Sequence, residues 1–390
     1  MMNNKKTVIV LLVAFLVTLA VFFSAIILVS GPGKTEAFFS VFDFPEEFTD
    51  KKPFSEYNYN KLNETEKKAY ICILNNIGNH PEYIKIPELT KEEFNNVYFA
   101  VKNDNPDMLC FSDSCNMISN SFVSLVELNY DYTPDVCNEM NNRMNAEIER
   151  IFENAPVFTD AFSKELFVHD YIVSNCVYGE SENSSTAYGC IVENKAVCSG
   201  YSRAAMLLLG RIGVDSVLIG GTGISSSQGE ISHMWNVVWL DGSPYYLDVT
   251  WDDLGDEGIS HLYFNLTDDD LSADHTDYSF TDECKTNEYN YFRYSGLYFE
   301  SYGKEQLDII RTELLENIEN GINFLEIKFE SEEDFMHMQN EFIGGITPGS
   351  DIYYIVEYIS TEAEDKIDVS HINFSSDENK KYIRLMFDWN

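Results

Sequence analysis

Three residue types suited to acyl transfer fall in one stretch of the chain. Cys198 lies in Ala196-Val197-Cys198-Ser199-Gly200-Tyr201, His233 in Ser232-His233-Met234-Trp235-Asn236, and Asp248 in Leu247-Asp248-Val249-Thr250-Trp251. A thiolate attacks a carbonyl, an imidazole carries the proton, and a carboxylate orients the imidazole. The residues from Arg203 to Ile212 have a helical pattern, so the thiol stands where a helix begins. Unpaired N–H groups and the helix dipole favour a thiolate there. The backbone N–H of Cys198 can also form part of an oxyanion hole. Asn175, Tyr178 and Tyr188 are upstream candidates for its side-chain donor.

His233–Leu240 and Tyr245–Trp251 read as strands, with Asp241-Gly242 as a two-residue turn. That turn pairs Leu240 with Ser243, His233 with Thr250, and Trp235 with Asp248. His233 and Asp248 then become diagonal neighbours on one sheet face, roughly 7–8 Å apart at Cα, within reach of a carboxylate–imidazole bond. A four-residue turn over residues 241–244 keeps the face but separates the pair further. Trp235 shares the face of His233 and, with Tyr188 and Tyr201, is a candidate wall of a substrate cleft. All the same, Trp235, Trp239 and Trp251 read as core before any substrate platform. His261 and His275 follow the hairpin without a placed acidic partner, and His169 reads as structural. Asp252, Asp253, Asp256 and Glu257 miss the EF-hand register and read as a solvated loop. Asp268-Asp269-Asp270 reads the same way, or as a helix cap.

The chain has 390 residues, 65 acidic and 26 basic, with a net charge of −39. Nucleic-acid binding is excluded, because phosphate contact needs clustered Lys and Arg. Hydrophobic residues make up 44% of the chain, enough for a sizeable core. Residues 7–29 carry no charge and are preceded by Lys5 and Lys6, with Glu36, Asp43, Glu46 and Glu47 beyond. This predicts a single-pass membrane anchor with the remainder extracellular. The rival reading is a cleaved signal peptide ending near Gly31, which leaves the protein secreted. Export permits disulfides among the eight cysteines, Cys110–Cys115 being one option, beside buried thiols. No Cys/His spacing suggests a metal, and no cofactor is expected.

The expected order is an anchor or signal over 1–31, a linker over 32–55, a helical region over 56–158, a core over 159–295 and a small α/β domain over 296–390. Thr90 with Glu93 marks a capping box. Helices are expected over 57–76, 134–154 and 159–174, and a strand over 216–220. The Gly/Ser-rich segment 221–229 reads as a mobile connector that could admit substrate. It has no phosphate-binding spacing. In the C-terminal part, helices are expected over 305–319 and 332–342, and strands over 322–329, 352–359, 369–374 and 382–389.

The Cys, His and Asp motifs together resemble the transglutaminase-like cysteine enzymes. The match runs through Ala187-Tyr188-Gly189, the Cys198 motif, His233–Asn236, Leu247–Asp253, Tyr263-Phe264-Asn265 and Asp269–His275. Tyr57–Tyr70, Asn103-Asp104-Asn105-Pro106 and His169-Asp170-Tyr171 resemble a bacterial surface subgroup. Cys190 departs from the pattern, where a small apolar residue is usual. The resemblance implies an α+β fold with a papain-like core, the Cys helix packed on an antiparallel sheet. It implies Cys198 as nucleophile, His233 as base and Asp248 as orienter, acting on protein or peptide amides at the cell surface. Hydrolysis is the expected outcome, cross-linking to an amine the alternative, and a non-catalytic surface scaffold the rival of another class.

Overall fold

The computed structural model describes residues 44–49, 51–119, 123–225, 229–363 and 366–390. The charge-free run over 7–29 lies outside them. Among the described residues no helix is long and apolar enough to cross a membrane. The chain divides into two compact units, residues 1–142 and 143–390.

In the first unit, α1 (Glu64–Ile77) and α2 (Lys91–Asn103) each begin at a capping box, Asn63 with Glu66 and Thr90 with Glu93. Their apolar faces share a core with a three-stranded antiparallel sheet, ordered β1 (Tyr83–Pro87), β3 (Val123–Tyr130), β2 (Phe111–Ser119). These strands correct the expectation of a mainly helical region. Their alternation is hard to read because Ser124, a hydroxyl residue, takes an inward place and accepts from the Leu89 N–H. Asp104 of the Asn-Asp-Asn-Pro motif is buried and holds the backbone N–H groups of Asn58 and Tyr59 at 3.0 and 2.8 Å. Helix α3 (Pro134–Glu153) begins in this unit. Cys110 is disulfide-bonded to Cys137 of α3, not to Cys115, which sits in β2 opposite Leu128 as a free thiol.

The second unit opens with α4 (Ala161–Asn175), β4 (Val177–Tyr178), α5 (Ala187–Ile191), β5 (Lys195–Ala196) and α6 (Cys198–Arg211). Next come β6 (Ser216–Ser225), β7 (Gly229–Leu240), β8 (Ser243–Leu247), α7 (Asp268–Leu271) and β9 (His275–Thr276). Strands β8-β7-β6-β9 form an antiparallel sheet, and α6 packs on β6 and β7. This is the expected α+β arrangement. The segment 221–225, expected as a connector, is instead the second half of β6 and pairs with 229–233. Its glycines serve close packing: a Cβ on Gly223 would meet the Trp251 ring at 2.8 Å.

A second sheet, ordered β10 (Tyr298–Phe299), β11 (Phe324–Phe329), β13 (Tyr382–Trp389), β12 (Ile367–Asp377), follows α8 (Tyr291–Tyr294). Its helices are α9 (Lys304–Glu319), α10 (Glu332–Gly344) and α11 (Asp351–Ala363). Helix α11 replaces the strand expected over 352–359. Its β-branched and aromatic residues suggest a strand, but Ile352, Ile355, Ile359 and Ala363 are the buried ones, at helical spacing. On β11, Leu325, Ile327 and Phe329 enter the apolar core of this sheet. Glu326 and Lys328 alternate with them, are also buried, and point to the opposite face.

Candidate active site

Helix α6 starts at Cys198, after Val197 in extended conformation. The N–H groups of Gly200 and Tyr201 bond the Val197 carbonyl at 2.8 and 3.1 Å, which leaves those of Cys198 and Ser199 at the start of the helix. Gly200 lets this turn press on the preceding segment, since a Cβ there would lie 2.3 Å from the Ser184 carbonyl oxygen. Ser202 and Asn236 bracket the helix to β7. The Ser202 hydroxyl reaches the carbonyls of Cys198 and Met234, each at 2.9 Å, and Asn236 Nδ2 donates to the Ser202 carbonyl at 3.0 Å. The Asn of the His-Met-Trp-Asn motif thus fixes the strand carrying His233 against the helix carrying Cys198.

Strand β8 pairs with β7 in the register set by the Asp241-Gly242 turn, Leu240 with Ser243 and Asn236 with Leu247. It stops at Leu247, earlier than expected, because Asp248 Oδ1 takes the backbone N–H groups of Thr250 and Trp251 at 3.1 and 3.2 Å. Such an Asx-type turn breaks the ladder and aims the other oxygen at the sheet. His233 Nε2–H donates to that oxygen, Oδ2, at 2.6 Å, with both residues buried. The remaining nitrogen, Nδ1, is free for the thiol, and Cys198 interacts with this imidazole by hydrogen bond and charge. Burial opposes a charged imidazole, but the Asp248 charge and hydrogen bond, helped by Cys198, push His233 up to about 10. Burial also opposes the Asp248 charge, yet His233 and His275 hold that carboxyl well below the usual range.

His275 is the residue that sequence reading missed. Its Nε2 meets Asp248 Oδ2 at 3.1 Å and its Nδ1 meets Asp274 Oδ1 at 2.7 Å. Asp274 Oδ2 in turn accepts from Tyr263 at 2.8 Å and from the Lys380 ammonium at 2.6 Å. Groups of alternating charge type thus run from the β12–β13 turn through Asp274, His275 and Asp248 to His233. His261 and His169 have acidic partners too. His169 bridges Asp252 and Asp170 at 3.2 and 2.8 Å, and His261 bridges Asp170 and Glu326 at 3.0 and 2.8 Å. Glu326 Oε1 continues to Tyr382 and Arg384. Asp252 is therefore a buried link rather than part of a solvated loop, and its neighbour Asp253 accepts from Tyr201. Asp270 completes the Thr267 capping box of α7.

The trios His233–Asp248–His275 and His169–Asp170–His261 each bring metal-capable atoms within 4.8 Å of one another. In both, the closest nitrogen–oxygen pairs stand at 2.6–3.1 Å. Tetrahedral zinc, with bonds of about 2.0–2.1 Å, sets its ligands roughly 3.3 Å apart. Both trios are hydrogen-bonded chains. Tyr188, Tyr201 and Trp235, expected at a substrate cleft, are 2%, 0% and 0% exposed and therefore back the site instead of walling it. Of the proposed oxyanion donors, Tyr188 is buried and Asn175 bonds the Tyr171 carbonyl at 2.8 Å. Tyr178 is exposed, and its phenol is raised first by partial desolvation and then by the charges of Cys198, Glu180 and Asp248.

The sequence model of the transglutaminase-like superfamily matches residues 154–249. No curated protein matches the chain. Among solved structures, the chain is similar to a proposed cysteine protease from Cytophaga hutchinsonii, at 12% identity and TM-score 0.23, covering 35% of this chain and 61% of that one. It is similar to a TGase at 13% identity and TM-score 0.24, covering 52% and 57% of the two chains. A proposed protease from Parabacteroides distasonis aligns at 10% identity and TM-score 0.22, over 34% and 35%. The chain thus spans less than two thirds of each.

Proposed function

We propose that this chain, whose residues 154–249 carry a transglutaminase-like domain, is a thiol-dependent enzyme acting on protein or peptide amides. The observation that carries the reading is the 2.6 Å bond from His233 Nε2 to buried Asp248, which leaves Nδ1 for the Cys198 thiol. Cys198 sulfur attacks the amide carbonyl carbon, and the Cys198 N–H at the start of α6 receives the developing oxyanion. The His233 imidazolium gives its proton to the departing amine, leaving a thioester. Water then attacks, His233 takes its proton, and the acid leaves as the thiol is restored. Hydrolysis is the favoured outcome because water is the abundant acceptor. A lysine amine in its place yields a cross-link. Export to the cell surface, by an anchor or a cleaved signal over 7–29, fits the Cys110–Cys137 disulfide.

One assay tests the reading. The protein is incubated with a labelled amine and a casein-like protein, and ammonia, incorporated label and new peptide termini are followed together. Hydrolysis yields ammonia or new termini without label, and cross-linking yields label. Cys198→Ala should abolish every signal while circular dichroism stays native, since a small residue can begin the same helix. Turnover that survives Cys198→Ala would sink the proposal.

A further inference from the structure

The chain carries 26 basic residues against 65 acidic ones, yet four cations converge on one cavity. The cavity, of about 280 Å³, is lined by Arg293, Lys328, Lys380 and Lys381, with Asp269 and Asp270. Most of these charges have partners. Arg293 pairs with Glu330 at 3.4 Å, Lys380 with Asp274 at 2.6 Å, and Lys381 Nζ donates to the Glu330 carbonyl. Asp270 is turned into its own helix cap, bonding Thr267. Lys328 is different: it is only 9% exposed, its ammonium has the Phe292 ring at 5.6 Å, and among the described residues no carboxylate hydrogen-bonds or ion-pairs with it, Asp270 acting on it only through its charge. A buried ammonium without a direct ion pair is costly. Its place on β11 is forced, because its neighbours Ile327 and Phe329 occupy the apolar face.

We propose that this cavity is an oxyanion-binding site, which takes phosphate or sulfate, free or as the phosphate of a small phosphomonoester, with Lys328 as its central contact. Arg293, Lys380 and Lys381 stand around Lys328 and raise the local potential, and burial together with these three cations outweighs the nearby Asp270 charge and depresses the Lys328 ammonium below its ordinary range. An anion offsets that penalty by supplying a directly bonded counter-charge, and donors at several angles suit a tetrahedral oxyanion. The site does not depend on the acyl-transfer reading, since neither Cys198 nor His233 lines it.

Thermal unfolding and calorimetry of the whole protein test the site, with phosphate, sulfate or phosphoserine against chloride at equal ionic strength. Phosphate at about a hundredfold excess over Kd should raise Tm by several degrees. Tighter binding of phosphoserine than of phosphate marks a phosphomonoester ligand, and the reverse order marks the free ion. Lys328→Met should abolish the shift while the anion-free protein melts at the same temperature or higher, because a buried unpaired charge is gone. A purely structural lysine would lower the anion-free Tm instead. Lys381→Ala, at the cavity rim, should weaken phosphate binding about tenfold. A shift no larger than chloride gives, or wild-type phosphate affinity in either variant, overturns the proposal.

Discussion

Replacing Asp248 by Asn leaves an oxygen for the N–H groups of Thr250 and Trp251 but removes the charge facing His233. The imidazolium is then less favoured, so the alkaline limb of the turnover profile should fall from about 10 towards the ordinary histidine range. Turnover against pH measures this, and an unmoved limb would show that Asp248 does not govern His233. Tyr178 is the other residue with a defined test. If its hydroxyl completes the oxyanion hole, Tyr178→Phe should lower kcat roughly a hundredfold with little change in KM, as loss of such a donor does elsewhere. Equal activity in the two proteins would remove it from the mechanism. Cys198, His233 and Asp248 were legible because residue types, helix start and hairpin register agreed. His275 was not, because its partners are set by the β6–β9 pairing, between segments far apart in sequence.

Strand β9 brings His275 to Asp248, with Asp274 from the preceding position and Lys380 from the β12–β13 turn behind it. His275 is thus a positioning group for Asp248. His275→Gln keeps a donor but removes a cation that competes for the Asp248 charge. The alkaline limb should therefore move upward, opposite to Asp248→Asn, while kcat falls about tenfold from looser placement of the carboxylate. A pH profile identical to wild type would reduce His275 to packing. The hairpin's turn and register were legible because Asp-Gly fixes them, but not its early end at Leu247. The upper half of β6 was not, because glycines placed for tryptophan packing look like loop glycines. Helix α11 misled for the opposite reason, its composition favouring a strand while its burial followed a helix.

Across the second unit, the chain from Asp252 through His169, Asp170 and His261 ends at Glu326 and Arg384 of the C-terminal sheet. Three carboxylates face two imidazoles and one guanidinium. Burial opposes the His261 charge, but bonds to Asp170 and Glu326 raise it to about 10. A raised histidine contributes fully below the unfolded value of about 6.5, and that contribution is lost as pH rises through the folded value. Asp170 and Glu326 are depressed, so their contribution is present above roughly pH 4.5 and lost on acidification. Stability from this network should peak between those limits. Glu326→Gln should lower the melting temperature, with a loss of about 3–5 kcal/mol for a broken buried pair. It should also flatten the decline between pH 6.5 and 10, and a melting curve with unchanged pH dependence would refute the coupling. The same wiring sets an order in time. A chain made from its N-terminus presents Cys198, His233 and Asp248 long before Lys380 exists to bond Asp274 behind His275. The outermost charge behind the His275–Asp248 pair is therefore among the last parts of the site to be made.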